Sequence, residues 1–453
     1  MSAAHKFLPI AAFLLLAVFA HAQCALVHLT AQQDHQRMMD LLHIASIRPG
    51  FSGSPGGPNP ANYDESKAGP FSRVPDPLVL ANGKRVTSAK VWWKQRRPQI
   101  VSLFDEDILG RTPTPTPAVH WEIVSTVTEK NGDVPVITKK LVGHVDNSAC
   151  PAIQVNIQLT VSTPARANAP VPVIMEMDLS PEVLTMLTKR FPQMFAHLPT
   201  GPTWQQQVLA KGWGYASYIP VSVQDDSASG LTQGVIGLVN HGQPRAPDDW
   251  GVLKAWAWGA SRCLDYFATD PAVDAKRIGI TGHSRYGKAS LIAMAYDPRF
   301  AIGYISSSGE GGAKLYRHIY GEGVGNLASD ELYWMGGNFL RYDGPLTVND
   351  LPVDANELIA LVAPRPVFIS GGATAAGDGW VDAEGMFLAA AGASPVYQLL
   401  GVKGLGTDVF PSMLTPLTTG ALAFRQHSEG HTPMPNWPYF LDWARRWLSP
   451  APQ

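Results

Sequence analysis

The stretch ITGHSRYGKAS, residues 280–290, decides how the rest of the chain is read. Its serine stands between a histidine and an arginine, with glycines at 282 and 287 and a lysine four positions after the serine. An apolar run, Ile278–Thr281, precedes it, and the helix-favouring GKASLIAMAYD follows. A sharp strand-to-helix turn lifts a hydroxyl above the strand ends, and it needs small residues where chain and helix approach. The usual spacing for such a turn is Gly-x-Ser-x-Gly. Here Gly282-His283-Ser284-Arg285-Tyr286-Gly287 is one residue longer. Ser284 is a candidate nucleophile, the alternative being a structural turn serine.

Outward from this turn, strands and helices alternate. VPVIMEM (171–177) reads as a buried strand, TWQQQVLAKGW as a helix and GYASYIPV as a further strand. DDWGVLKAWAWGASRCLDYFATD places Leu253, Trp256, Ala257, Ala260, Cys263, Leu264 and Phe267 on one helical stripe. AIGYISSSG (301–309) and RPVFISGG (365–372) are apolar strands, and NWPYFLDWARRWL is an amphipathic final helix. Earlier, HWEIVSTVTEKNGDVPVITKKLVGHV and IQVNIQLTVSTP alternate with period two, as antiparallel strands do. An antiparallel start followed by βα units implies the α/β-hydrolase fold, a three-layer αβα sandwich with a mostly parallel central sheet. VWWKQRRPQIVSLFDEDILGRTP reads as a helix.

Three regions follow. Residues 1–22 have the pattern of a signal peptide: Lys6, the apolar FLPIAAFLLLAVFA and the small-residue AHA. Residues 23–91 form an N-terminal extension whose RPGFSGSPGGPNPANYDES is mobile or laid over the surface. Residues 92–453 make one catalytic domain. With 45% apolar and 16% charged residues and a net charge of -2, the chain has no electrostatic reason to bind nucleic acid or an anionic membrane. A periplasmic or secreted protein is expected, off the membrane after signal cleavage and monomeric. Of three cysteines at least one is unpaired, and Cys263 belongs to an apolar face. Without a Cys/His cluster at ligand spacing, no metal site is expected.

A serine nucleophile needs a base, and the base an orienting acid, in the chain order Ser, acid, His for this fold. RQHSEGHTPMPNW holds His427 and His431 just before the last helix. His431, freed by Gly430, is the expected base and His427 the alternative. Asp378 and Asp382 lie in the loop after the 365–372 strand. Asp378 is the expected acid, Asp382 a possible helix cap, and Glu310 in SSSGEGGAK the rival acid. Arg285 can serve an oxyanion through its backbone N–H and guanidinium. Lys288, one helical turn on, can hold a polar or anionic part of a substrate. Both cations oppose the dipole at a helix start, which favours function over chance.

At these residues the chain resembles the glucuronoyl esterases, carbohydrate esterase family 15, and most of all their bacterial members. Gly-x-Ser-Arg-x-Gly-Lys is matched from Gly282 to Lys288, so the longer spacing is the family's own. The likeness runs from about residue 92 to the end and includes RRPQIVSLFDEDILGRTP, SSSGEGGAKLYR and DGWVDAEGMFLAA. It implies Ser284 as nucleophile, His431 as base and Arg285 at the oxyanion. It also implies Lys288 on the hydroxyls of a glucuronate ring and Trp380 packed near the sugar. Many members carry the triad glutamate where this chain has Ser307, which moves the acid to Asp378 and leaves Glu310 a substrate or supporting residue. The implied reaction is hydrolysis of an ester on the C6 carboxyl of (4-O-methyl)glucuronate, as between glucuronoxylan and lignin alcohols, with no metal or organic cofactor. An acetyl-xylan or other carboxylester hydrolase of the same fold, or a carbohydrate-binding pseudoenzyme, are the alternatives.

Overall fold

Among the described residues, nine strands join in one sheet: β1 (Val119–Asn131), β2 (Val134–Val145), β3 (Asn156–Pro164), β4 (Val171–Met177), β5 (Gly214–Ile219), β6 (Val273–His283), β7 (Ile302–Ser306), β8 (Val367–Gly371) and β9 (Leu422–Gln426). Their order is β1-β2-β3-β5-β4-β6-β7-β8-β9. β1, β2, β3 and β5 pair antiparallel, and every neighbour from β5 to β9 is parallel. This computed structural model describes residues 24–69, 73–190 and 201–449, so the expected signal peptide lies outside the described residues.

Burial explains both patterns. β2 alternates because one face meets water, whereas β7, β8 and β9 are buried at every position under helices on both faces. The sequence reading did not single out β9. The Val252–Phe267 helix is covered far beyond the expected stripe. Lys254 and Trp258 are buried too, leaving mainly Ser261, Arg262 and Asp265 towards solvent. Cys263 is buried and unpaired within it. The helical run from 89 to 108 contains two π-helical stretches, Trp92–Arg96 and Phe104–Ile108, which shift the simple three-and-four spacing. No helix among the described residues is long and apolar enough to cross a membrane.

The N-terminal extension is part of the same core. Met38, Ile44, Leu78 and Leu80 share one apolar cluster with Trp92, Ile100 and the Val252–Phe267 helix. Its Gly/Pro-rich loop lies on the surface. The Gly321 N–H donates to Asn62 O (2.9 Å), and the Tyr63 and Tyr320 rings meet edge to face at 5.6 Å. A Cβ on Gly53 would stand 3.6 Å from the Trp380 ring, so this loop walls that indole.

Cys24 and Cys150 form a disulfide with 5.4 Å between their Cα atoms. Because the bridge spans 126 residues, it removes much freedom from the unfolded chain. Cys24→Ser/Cys150→Ser is therefore expected to lose about 2–5 kcal/mol of stability. Urea denaturation reads this as a lower midpoint. An unchanged midpoint would mean that packing alone holds the N-terminal segment.

Candidate active site

β6 ends at His283 and a helix, Arg285–Tyr296, begins at once. Ser284 between them has φ 58° and ψ -130°, a backbone region that side chains rarely adopt. Its N–H donates to Ser306 O at the end of β7 (2.9 Å). Two close approaches require the glycines of the motif. A Cβ on Gly282 would fall 2.2 Å from Tyr286 O, and one on Gly287 would fall 2.9 Å from Ser306 O. Gly287 thus meets the neighbouring strand β7, which requires glycine at this position.

Asp378 and His431 arrive from the loops after β8 and β9. The His431 Nδ1–H donates to Asp378 Oδ1 (2.5 Å). The carboxylate is fully buried, and its other oxygen accepts from Ser307 Oγ (2.8 Å) and the Gly372 N–H (2.5 Å). The two loops interlock because a Cβ on Gly372 would lie 2.4 Å from Gly430 O. The His283 ring packs on His431 with centroids 4.2 Å apart, which puts the imidazole beside the elbow. His427 is a brace in the same loop: Nε2–H donates to Thr432 O (2.9 Å) and Nδ1 accepts from the Glu429 N–H (3.2 Å). Asp382 caps the Ala383–Leu399 helix through the Gly385 N–H (2.8 Å) and receives the His318 Nδ1–H (2.5 Å).

The cations behave differently from one another. Arg285 is partly exposed, bound to Asp226 (2.5 Å) with its guanidinium 5.1 Å from the Trp334 ring. Lys288 is buried; its Nζ donates to Glu310 O (2.5 Å) and Glu322 Oε2 (2.8 Å). An ammonium has three donors and these bonds use two of them, with the Trp334 ring 5.5 Å from Nζ. Trp380 is half-buried, and its carbonyl accepts the Glu322 N–H (2.8 Å).

Glu310 sits behind these groups. Its side chain is buried and ion-paired to Lys314, not to His431, while its backbone O receives Lys288 and its N–H donates to Glu322 Oε2 (3.0 Å), the place of a supporting residue. Gly309 (φ 59°) and Gly311 (φ 74°) turn the chain so that this carboxylate points inward. Burial pushes its carboxyl up to about 8, against the pull of Lys314.

Sequence reasoning missed Glu322, Asp226 and Glu331. Burial, with Glu322 beside it, pushes Glu331 up to about 7 against Lys288 and Arg285. Glu322 lies between glycines, and the strand-and-helix pattern carries no signal for it. Glu65, His318 and Asp382 could offer a metal one donor atom each within 4.8 Å of one another. His318 Nδ1–H is bonded to Asp382 there and Nε2 lies 3.5 Å from Glu65.

Taken together, a strained serine beside an Asp-oriented imidazole suits acyl transfer, with the first amides of a helix free of intrahelical partners where an oxyanion forms.

Comparison with known proteins agrees. A family model described as glucuronyl esterase, fungi, matches residues 245–401. Carbohydrate esterase MZ0003, from an unknown prokaryotic organism, is 33% identical over 379 residues, 78% of this chain and 84% of that protein. A 4-O-methyl-glucuronoyl methylesterase of Cerrena unicolor is 26% identical over 78% of this chain and 68% of its own. The solved CE15 glucuronoyl esterase from Teredinibacter turnerae T7901 superposes with a TM-score of 0.85 at 43% identity, over 92% of this chain and 99% of that one. A glucuronoyl esterase from Solibacter usitatus gives a TM-score of 0.73 at 31% identity, over 84% and 99%.

Proposed function

The chain belongs to the glucuronoyl esterases of carbohydrate esterase family 15 and is a carboxylic ester hydrolase of that type, and we propose that it is an exported serine esterase cleaving links between glucuronoxylan and lignin alcohols. Ser284 attacks the C6 carbonyl of the (4-O-methyl)glucuronoyl ester while His431, oriented by Asp378, takes the hydroxyl proton. The Arg285 N–H and guanidinium stabilise the oxyanion. His431 then gives the proton to the departing alcohol, and water releases the uronate by the reverse sequence. Lys288 and Glu322 hold neighbouring sugar hydroxyls as donor and acceptor, and the Trp380 ring covers the sugar face. Export is supported by the pattern of residues 1–22 and by the Cys24–Cys150 bridge, since disulfides persist in oxidising compartments.

The observation that carries the substrate reading is the buried Lys288–Glu322 pair one helical turn from the elbow serine. A simple acyl ester has no use for it. The test is turnover of methyl or benzyl glucuronate by the purified, folded protein; its absence overturns the reading.

The pair itself can be tested. Hydrogen bonds to charged groups contribute about 1.5–3 kcal/mol, so Lys288→Ala should cost about 10- to 150-fold in kcat/KM on methyl glucuronate. On p-nitrophenyl acetate the loss should stay below about threefold, because that ester makes no such bond. Removing one partner of a buried pair also destabilises the fold, so Lys288→Met/Glu322→Gln is the companion variant. Equal losses on both esters would remove the uronate from the proposal.

A further inference from the structure

At the start of the Ala383–Leu399 helix, a histidine and three acids converge from three segments of the chain. Asp382 and Glu384 belong to the helix start, His318 to the long loop after β7, and Glu65 to a short turn (Glu65–Lys67) of the N-terminal extension. None of them takes part in the ester chemistry. The His318 side chain is only 3% exposed, and its ring lies near parallel to that of Tyr320, with centroids 6.2 Å apart. Its Nδ1–H donates to Asp382 Oδ2 (2.5 Å), and the other oxygen of Asp382 accepts the Gly385 N–H (2.8 Å). With its proton on Nδ1, the neutral ring turns the Nε2 lone pair towards Glu65 Oε1, 3.5 Å away.

That separation is long for a hydrogen bond, but it fits the edge of a metal tetrahedron. Ligand atoms about 2.0–2.1 Å from zinc, at the tetrahedral angle, stand about 3.3–3.4 Å apart. The Glu65 and Glu384 carboxyls are themselves in hydrogen-bond contact, so a proton or a cation must stand between them. The helix dipole accounts for acids at positions 382 and 384. It does not account for Glu65, a third carboxyl that another segment brings up to them. Lys314 also faces Glu65 and Asp382, but its ammonium is bonded to Glu310.

One imidazole with two carboxylates is a donor set for zinc, whereas calcium and magnesium take oxygen ligands. We propose that His318 Nε2, Glu65 and Glu384 bind a zinc ion, with Asp382 behind the imidazole as the carboxylate that orients it. Glu65 is 39% exposed, so the ion enters from solvent and a water completes the tetrahedron. The ion ties the N-terminal extension to the helix that follows Trp380. Ligands at 65, 318 and 384 form no local motif, which is why the sequence gave no sign of a metal.

The experiment takes the full-length protein, strips it with EDTA and titrates it with ZnCl₂, MgCl₂ or CaCl₂. Calorimetry should find about one tight zinc per chain. Zinc at a hundred times its Kd should raise the melting temperature by about 3 °C, and magnesium or calcium at the same concentration should not. Glu65→Gln/Glu384→Gln keeps the shape of both side chains and removes both charged ligands. Glu65 is exposed and Glu384 half-buried, so the fold tolerates the change. This variant should bind zinc at least about a hundredfold more weakly and lose the shift. No tight zinc on wild type, or a larger shift from calcium than from zinc, would overturn the proposal. Zinc binding undiminished in the double variant would put the ion on other histidines and overturn it equally.

Discussion

Ser284→Ala should lower the hydrolysis of methyl glucuronate by about 10⁵- to 10⁶-fold, the scale seen when a triad nucleophile is lost. The fold should survive. Ser284 makes its backbone bond to Ser306 through an N–H that alanine keeps. Its φ of 58° is equally unfavourable for alanine, at a cost of roughly 1–3 kcal/mol in either case. Glycine adopts such angles freely, so Ser284→Gly should be just as inactive and melt no lower than Ser284→Ala. Initial rates and thermal denaturation of the three proteins check both statements. Retention of more than about 1% of the rate by the alanine variant would place the nucleophile elsewhere.

Asp378→Asn should cost about 10⁴-fold in kcat/KM with little loss of structure. The direction follows from the three donors around this carboxylate. Oδ2 accepts from Ser307 Oγ and the Gly372 N–H, so an asparagine must keep its carbonyl oxygen there. Its NH₂ group then faces His431 Nδ1, which can only accept. The imidazole proton moves to Nε2, where it cannot take the serine proton. Glu310→Gln should leave the Asp378–His431 bond in place, since Glu310 pairs with Lys314 and not with His431, while lowering stability by breaking that buried pair. Both variants are assayed on methyl glucuronate, with circular dichroism as the folding control. A larger loss from Glu310→Gln than from Asp378→Asn would reverse the assignment.

What the sequence showed, and what it concealed, follows from how far apart the interacting residues are. The elbow was legible because strand, turn and helix are contiguous from 278 to 296. The last loop was legible as the source of a histidine because it comes directly before the amphipathic final helix. The pairing of His431 with Asp378 needed more, since it depends on Gly372 and Gly430 letting two distant loops interlock. β9 was missed because a five-residue buried run has no period to distinguish it. Glu322 and Asp226 sit in glycine- and serine-rich segments, and only the folded chain brings them to Lys288 and Arg285. Glu310 was open for the converse reason. Its place after a strand suited an acid or a supporting residue alike, and two left-handed glycines turn its carboxylate inward to Lys314.

The bond from Ser307 to Asp378 also shows where this site can seat a carboxylate. It brings the hydroxyl just after β7 to within 2.8 Å of the carboxylate in the loop after β8, beside one imidazole. The family resemblance puts an acid at the first of these places, whereas here the carboxylate that holds His431 stands at the second. A carboxylate at 307 would meet Asp378 directly, the two sharing a proton and one still ionised beside the histidine. The geometry thus accepts an orienting acid from either strand end.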